Sequence, residues 1–269
     1  MTRESGFSDV DKSGRSEALV EYLAEMAQEV AERRRQGYEL LRLRSGATVL
    51  DVGCGAGEVC VELAARVEAS GRVAGVDLSD AMINAARRAA SEAGVDVDLR
   101  VASATALPFA DGTFDAVRAE RVFQHLDRPN EALVEMLRVT RPGGRVMVID
   151  PDHGQLGLGL DEPEHRLVFE AMRREILRTI VNPHSGSRLR GLFVGAGMKE
   201  IEEIVSAVEL SHPVFVRALF LEEKLAGTVK SGDITAEQSA RFSAALEARQ
   251  RSGAFCAISV GYRVAATRP

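Results

Sequence analysis

Between residues 47 and 150, short apolar runs of strand type alternate with longer amphipathic stretches, and this alternation limits the chain to very few folds. The apolar runs are 47–52, 72–77, 95–101, 114–119 and 145–150. Val59, Val61, Leu63 and Val67 recur at helical spacing after the first run, and Met82, Ile83, Ala86 and Ala89 after the second. Ser79-Asp80 offers a cap for that second helix, which runs to Gly94, and Asp127-Arg-Pro129 opens another with proline in its first turn. Arg141-Pro-Gly-Gly144 is a turn before the fifth run. Strand–helix units in series build a parallel α/β sheet covered on both faces, and right-handed crossovers make it doubly wound.

The pattern loosens on either side. Residues 16–45 read as helix, with Leu19, Leu23, Met26 and Val30 at helical spacing and the Arg33-Arg34-Arg35 run on its solvated face. Residues 152–160 hold three glycines and read as loop. Helices are expected over 162–180, 188–194, 213–226 and 235–251, a sixth strand over 201–207 and a last strand over 254–266. Helices outside the regular winding are expected to cap the sheet's ligand edge.

Composition removes several classes of function. Forty acidic against 34 basic residues give a net charge of −6, which disfavours a nucleic-acid partner because phosphate binding needs a basic footprint. No apolar run approaches a membrane span, and residues 1–17 lack the apolar core of a secretion signal, so a cytoplasmic protein is expected. Cys54, Cys60 and Cys256 form neither a disulfide framework nor a metal cluster and read as free buried thiols, with no metal site expected.

The clearest site lies at the end of the first strand. Asp51-Val-Gly-Cys-Gly-Ala-Gly57 places three glycines at alternate positions, so the backbone can turn sharply and approach a ligand. In open α/β sheets ligands sit at that carboxyl edge, where strand order reverses, and the next helix presents free N–H groups there. A dinucleotide fingerprint needs glycine where this chain has Glu58, and the third glycine comes one residue early. Glu58 would repel a pyrophosphate. Asp77, at the end of the second strand, can accept both hydroxyls of a ribose. Together these features read as a nucleoside site without pyrophosphate.

The segments VLDVGCGAG (49–57), VAGVDLSDAMINAAR (73–87), ALPFADGTFDAV (106–117), ERVFQHLDRPNEAL (120–133) and RVTRPGGRVMVID (138–150) resemble, in order, the motifs of class I S-adenosylmethionine-dependent methyltransferases. The likeness is strongest to the branch with ubiquinone/menaquinone-type and natural-product enzymes. It implies a mostly parallel seven-stranded Rossmann-like sheet with a helical cap. The expected divisions are 1–45 as an N-terminal helical cap segment, 46–150 as the cofactor core, and 151–269 as completion of the sheet with an inserted helical lid. It further implies S-adenosylmethionine as cofactor. Gly53, Gly55 and Gly57 would hold its methionine end, with Asp51 shaping the loop. Asp77 would bind the ribose, Leu78 and Met82 would pack on the adenine, and Ser103 and Ala104 would meet the adenine edge. Arg121 would offer its backbone carbonyl to the cofactor's amino group. One departure stands out: Ala102-Ser103-Ala104 replaces the family's usual Gly-Asp-Ala. A hydroxyl is a weaker acceptor than a carboxylate, so looser cofactor binding is expected, and Ser103→Asp should tighten it.

Methyl transfer from a sulfonium is an in-line displacement that needs alignment and exclusion of water, plus a base when the acceptor carries a proton of high pKa. His153, just past the fifth strand, and His125, in Phe123-Gln-His-Leu126, are the candidate catalytic residues, each weighed against a structural role. His184 reads as a cap-loop residue, and His165 and His212 carry no further signal. Tyr22 and Tyr38 either line the site or simply pack. Arg118 and Glu120 share one face of a buried strand and are expected to pair. Phe169, Met172, Leu192, Phe193, Phe215, Leu219 and Phe220 either line an acceptor pocket or pack the core.

The expected function is methyl transfer to a small organic acceptor at O, N or C, in secondary or cofactor metabolism. The alternatives are a cofactor-binding protein of cyclase-like or scaffold role and, disfavoured by Glu58, a nicotinamide-dependent oxidoreductase. Ala119-Glu-Arg-Val122 lacks the Asn-Pro-Pro-Tyr type of motif that would suit planar amines of DNA. Assembly into a homo-oligomer is left open.

Overall fold

The structure, a computed structural model, describes residue 11 and residues 37–269. In chain order its elements are β1 (Thr48–Val52), α1 (Glu58–Val67), β2 (Arg72–Asp77), α2 (Asp80–Glu92), β3 (Asp98–Val101), β4 (Phe114–Glu120), a short 3-10 turn (Phe123–His125) and α3 (Pro129–Val139). They continue with β5 (Thr140–Leu158), α4 (Pro163–Thr179), α5 (Ser185–Gly195), β6 (Lys199–Leu210), α6 (His212–Ala218), α7 (Leu221–Lys230), α8 (Ala236–Ser252) and β7 (Ala257–Thr267).

The strands form one seven-stranded sheet in the order β3-β2-β1-β4-β5-β7-β6. The first five run parallel, and β7 is antiparallel to both β5 and β6. Winding reverses between β1 and β4, so the crevice for a ligand lies beyond Val52 and Glu120. Period-two alternation assigns the core. Leu50, Val52, Val117, Ala119, Val146 and Val148 pack under α3 and α5, while Val49, Val73, Ala116 and Met147 pack under α1 and α2.

Three expectations needed correction. Arg141–Gly144, expected as a turn before the fifth strand, lies within β5. Residues 152–158 are strand, not loop: β5 continues as a ribbon with β7, from Asp152↔Val260 to Gly157↔Ile258 and Leu158↔Ala257. The irregular register between Asp152 and Gly157 absorbs the glycines that suggested a loop. The stretch 213–226 is two helices, because Phe220 adopts a left-handed φ of 50° and breaks it. α4, α6, α7 and α8 share a third apolar core with Leu156 at the end of the ribbon. Of the helix expected over 16–45, residues 37–40 are helical, and residues 16–36 lie outside the described residues.

Candidate functional site

The bend after β1 is built by steric necessity. Gly53, Gly55 and Gly57 all have left-handed φ, of 71°, 54° and 91°. A Cβ on Gly53 would lie 2.3 Å from Val122 Cγ2, so no larger residue fits. Gly53 N and Cys54 N donate to Val76 O at 2.7 and 2.9 Å, folding the bend back onto the end of β2. Asp77 secures it from that side. Its Oδ2 accepts from Gly55 N and its Oδ1 from Ser79 N, each at 3.0 Å. Burial raises the pKa of Asp77, opposed by these backbone donors, and nearby Asp11 raises it further.

Asp11 gave no signal in the sequence. Its carboxylate accepts from Ser79 Oγ at 2.6 Å, Asp80 N at 2.9 Å and Ala81 N at 3.2 Å, so it caps α2 from outside the helix. Ser79 also caps α2 itself, accepting from Met82 N. Among the residues expected at the adenine, Leu78 stands exposed at the rim, whereas Met82 is 1% exposed and can only back the site from beneath. Ala102 N donates to Asp77 O, which brings the 102–104 segment beside Asp77. Ser103 Oγ, however, is drawn into its own turn, bonded to Thr105 Oγ1 and accepting from Thr105 N.

At the ends of β1 and β4 Arg118 pairs with Glu120 as expected, at 2.6 Å, and also with Asp51 at 3.1 Å. The Arg118 side chain is fully buried; burial favours loss of its proton, but the two carboxylates outweigh this and raise its pKa. Tyr38 is buried, donates to Glu62 at 2.7 Å and lies under the Arg66 guanidinium at 4.3 Å, so its phenol packs rather than lining the site. Tyr22 and Arg33–Arg35 lie outside the described residues.

Beyond β4 and β5 the structure gathers a polar cluster. Arg121 has a left-handed φ of 59°; its N–H donates to Ile149 O, and its carbonyl accepts from Gln124 Nε2 at 3.1 Å. The carbonyl assigned to the cofactor's amino group thus already holds one partner. Gln124 Oε1 lies 2.7 Å from His153 Nε2. A carbonyl only accepts, so Gln124 must turn its NH₂ to Arg121 and its oxygen to His153, which leaves His153 protonated on Nε2 and its Nδ1 a lone-pair acceptor. Desolvation lowers His153 to about 4 and His125 to about 3, aided in both by the Arg121 charge, so both rings are neutral at pH 7. Asp150, 1% exposed, accepts from Ser185 Oγ at 2.5 Å, and burial raises it to about 7. His184, expected as a plain loop residue, pairs with Asp152 at 2.9 Å.

The thiol expectation holds for Cys54 and Cys60, but Cys256 is exposed because it precedes β7 at the surface. Among the described residues no His/Cys/Asp/Glu group could hold a metal ion, and no helix is long and apolar enough to cross a membrane. Of the expected acceptor lining, Phe169, Met172, Phe193, Phe215 and Leu219 are core residues. Leu192 instead faces a pocket of about 310 Å³ that Phe123, Asn130, Asn182 and Arg188 also line.

Residues 50–148 match the family profile described as "Methyltransferase domain". The chain is 37% identical over 181 residues to an uncharacterised 37.1 kDa protein of a Streptomyces fradiae transposon, covering 66% of this chain and 51% of that protein. It is 36% identical over 128 residues to a demethylmenaquinone methyltransferase of Thermus thermophilus, covering 46% of this chain and 58% of that enzyme. The chain thus spans between half and three-fifths of the length of these relatives. Its fold is shared with a geranyl diphosphate methyltransferase solved with its methyl donor (TM-score 0.54, 22% identity, 96% of this chain and 92% of that one).

Proposed function

We propose that this chain, whose residues 50–148 match the methyltransferase-domain profile, transfers a methyl group from S-adenosylmethionine to a small organic acceptor. The observation that carries the reading is the joint geometry of the Gly53–Gly57 bend and Asp77. A Cβ at Gly53 would strike Val122, so the bend closes this tightly only with glycine there. Asp77 takes backbone N–H groups on both oxygens, which fixes its carboxylate at the end of β2, the place from which it would meet a pair of vicinal hydroxyls. The residues present therefore fit a nucleoside, with Leu78 at its rim and the 102–104 segment beside Asp77.

The donor, when bound, supplies an electrophilic methyl on a sulfonium. The chain's residues align the acceptor, exclude water and remove a proton. His153 takes the last role in this reading: it is neutral, with Nε2–H fixed by Gln124 and Nδ1 available to an acceptor O–H or N–H. The pocket beside Phe123 and Leu192 would take the acceptor's apolar body. His125, with the lower pKa, is the weaker base and serves packing.

Calorimetric titration with S-adenosylhomocysteine tests the site. Wild type should bind, Asp77→Ala should lose about tenfold or more in affinity, and Asp77→Asn should lose less because it still accepts at one oxygen. Absence of binding to wild type sinks the reading. Labelled donor with a panel of small acceptors then separates methyl transfer from mere cofactor holding.

A further inference from the structure

The pocket of about 310 Å³ between the turn after β4 and α5 has a charge pattern that packing alone does not explain. Phe123, Leu189 and Leu192 give it an apolar wall, and Arg188 of α5 is the one charged residue among those that line it. Arginines close by are neutralised: Arg128, just before α3, pairs with Glu131 at 2.7 Å, and Arg190 with Glu203 at 3.9 Å. Arg188 is exposed and meets no carboxylate among the described residues. In a chain of net charge −6, a cation left unpaired beside an apolar wall favours a ligand that brings an anion of its own.

The neighbouring amides narrow the anion. Asn182 has no donor to spare, because its Nδ2 donates to Phe123 O at 3.1 Å and to Leu126 O. Asn130, exposed in the first turn of α3, keeps its amide for a ligand. One guanidinium fork and one amide suit the two oxygens of a single carboxylate, whereas a phosphate or diphosphate would find no second cation on this wall. The segments that wall the pocket also hold His153. Its N–H donates to Pro183 O at 2.8 Å and its ring meets Gln124 at 2.7 Å, while Asn182 N donates to Gln124 O at 2.9 Å. Pocket and base therefore share one frame. A carboxylate needs no base to accept a methyl group, so the atom that His153 deprotonates is a different one.

We propose that Arg188, with Asn130, selects an acceptor that joins an apolar body to a carboxylate, the methyl group going to a separate hydroxyl or amine. This rests on the reading of the pocket as the acceptor site, and the test separates the two. The probes are three acids, 3-(4-hydroxyphenyl)propanoate, naphthylacetate and decanoate, each matched with its neutral primary amide. They are titrated calorimetrically into the full chain holding S-adenosylhomocysteine, as wild type and as Arg188→Gln, with thermal melts confirming that the variant is folded. In at least one pair wild type should prefer the acid by about tenfold or more. Arg188→Gln should lose most of that preference while binding the amide and S-adenosylhomocysteine as wild type does, and Arg188→Lys should restore part of it. If wild type takes up no S-adenosylhomocysteine, the methyl-donor reading fails and the pocket is no acceptor site. If that ligand binds but wild type takes none of the acids, shows no preference for them, or keeps the preference in Arg188→Gln, the assignment of Arg188 is overturned.

Discussion

The Gln124 amide shows how much one side chain can decide. It has no charge, yet its bond to Arg121 O dictates which nitrogen of His153 carries the proton. In Gln124→Leu that constraint is gone. Long-range ¹H–¹⁵N spectra of ring-labelled protein should show His153 as a single Nε2–H tautomer in wild type and as a mixture in the variant; identical spectra would refute the clamp. The residues legible in the sequence were those whose chemistry is local. The glycine bend and Asp77 sit at spacings that only a strand–turn–helix unit explains, and Arg118 with Glu120 followed from strand alternation. Gln124 with His153, Ser185 with Asp150 and Asp11 with Ser79 are 29, 35 and 68 residues apart, and their meeting depends on how the sheet is ordered. No local pattern encodes such a meeting.

At the scale of elements, the docking of α5 onto β5 depends on a missing side chain. A Cβ on Gly186 would come 2.6 Å from Asp150 O and 2.8 Å from the Tyr262 ring. Gly186→Ala should therefore push the first turn of α5 off the sheet, weaken the Ser185–Asp150 bond and destabilise the protein by about 1–3 kcal/mol in denaturant titration. An unchanged midpoint would show that the backbone yields freely there. The helix and strand assignments read from periodicity survive well where an element is amphipathic. They fail at the β5–β7 ribbon, where glycines resemble a loop although long-range pairing holds them extended, and at Phe220, whose left-handed backbone no propensity rule anticipates.

For the molecule as a whole, the buried cluster beyond β5 sets two opposed pH dependences. Asp150 titrates near 7 in the fold and near 4 when unfolded, so the folded state binds the extra proton and stability falls as pH rises across that window. His153 and His125 titrate below the ordinary histidine value, so they act in reverse: their contribution is lost as pH falls from about 6.5 toward 4 and 3. Asp150→Asn removes the first effect and leaves the second. Relative to the variant, wild type should lose about 3 kcal/mol at most between about pH 5 and about pH 8 in thermal or denaturant unfolding, and a gap that does not move with pH would show that Asp150 does not titrate there.

The sheet order carries one last consequence. β7 lies between β5 and β6, although it follows β6 in the chain by some 50 residues. On a ribosome, β6 therefore emerges with no hydrogen-bonding neighbour and must wait, unpaired, until residues 257–267 have been translated and threaded alongside it. Production of this protein should for that reason be sensitive to chaperone supply and to any stall in reading the stretch of message that encodes β7, even where β1–β5 are already formed.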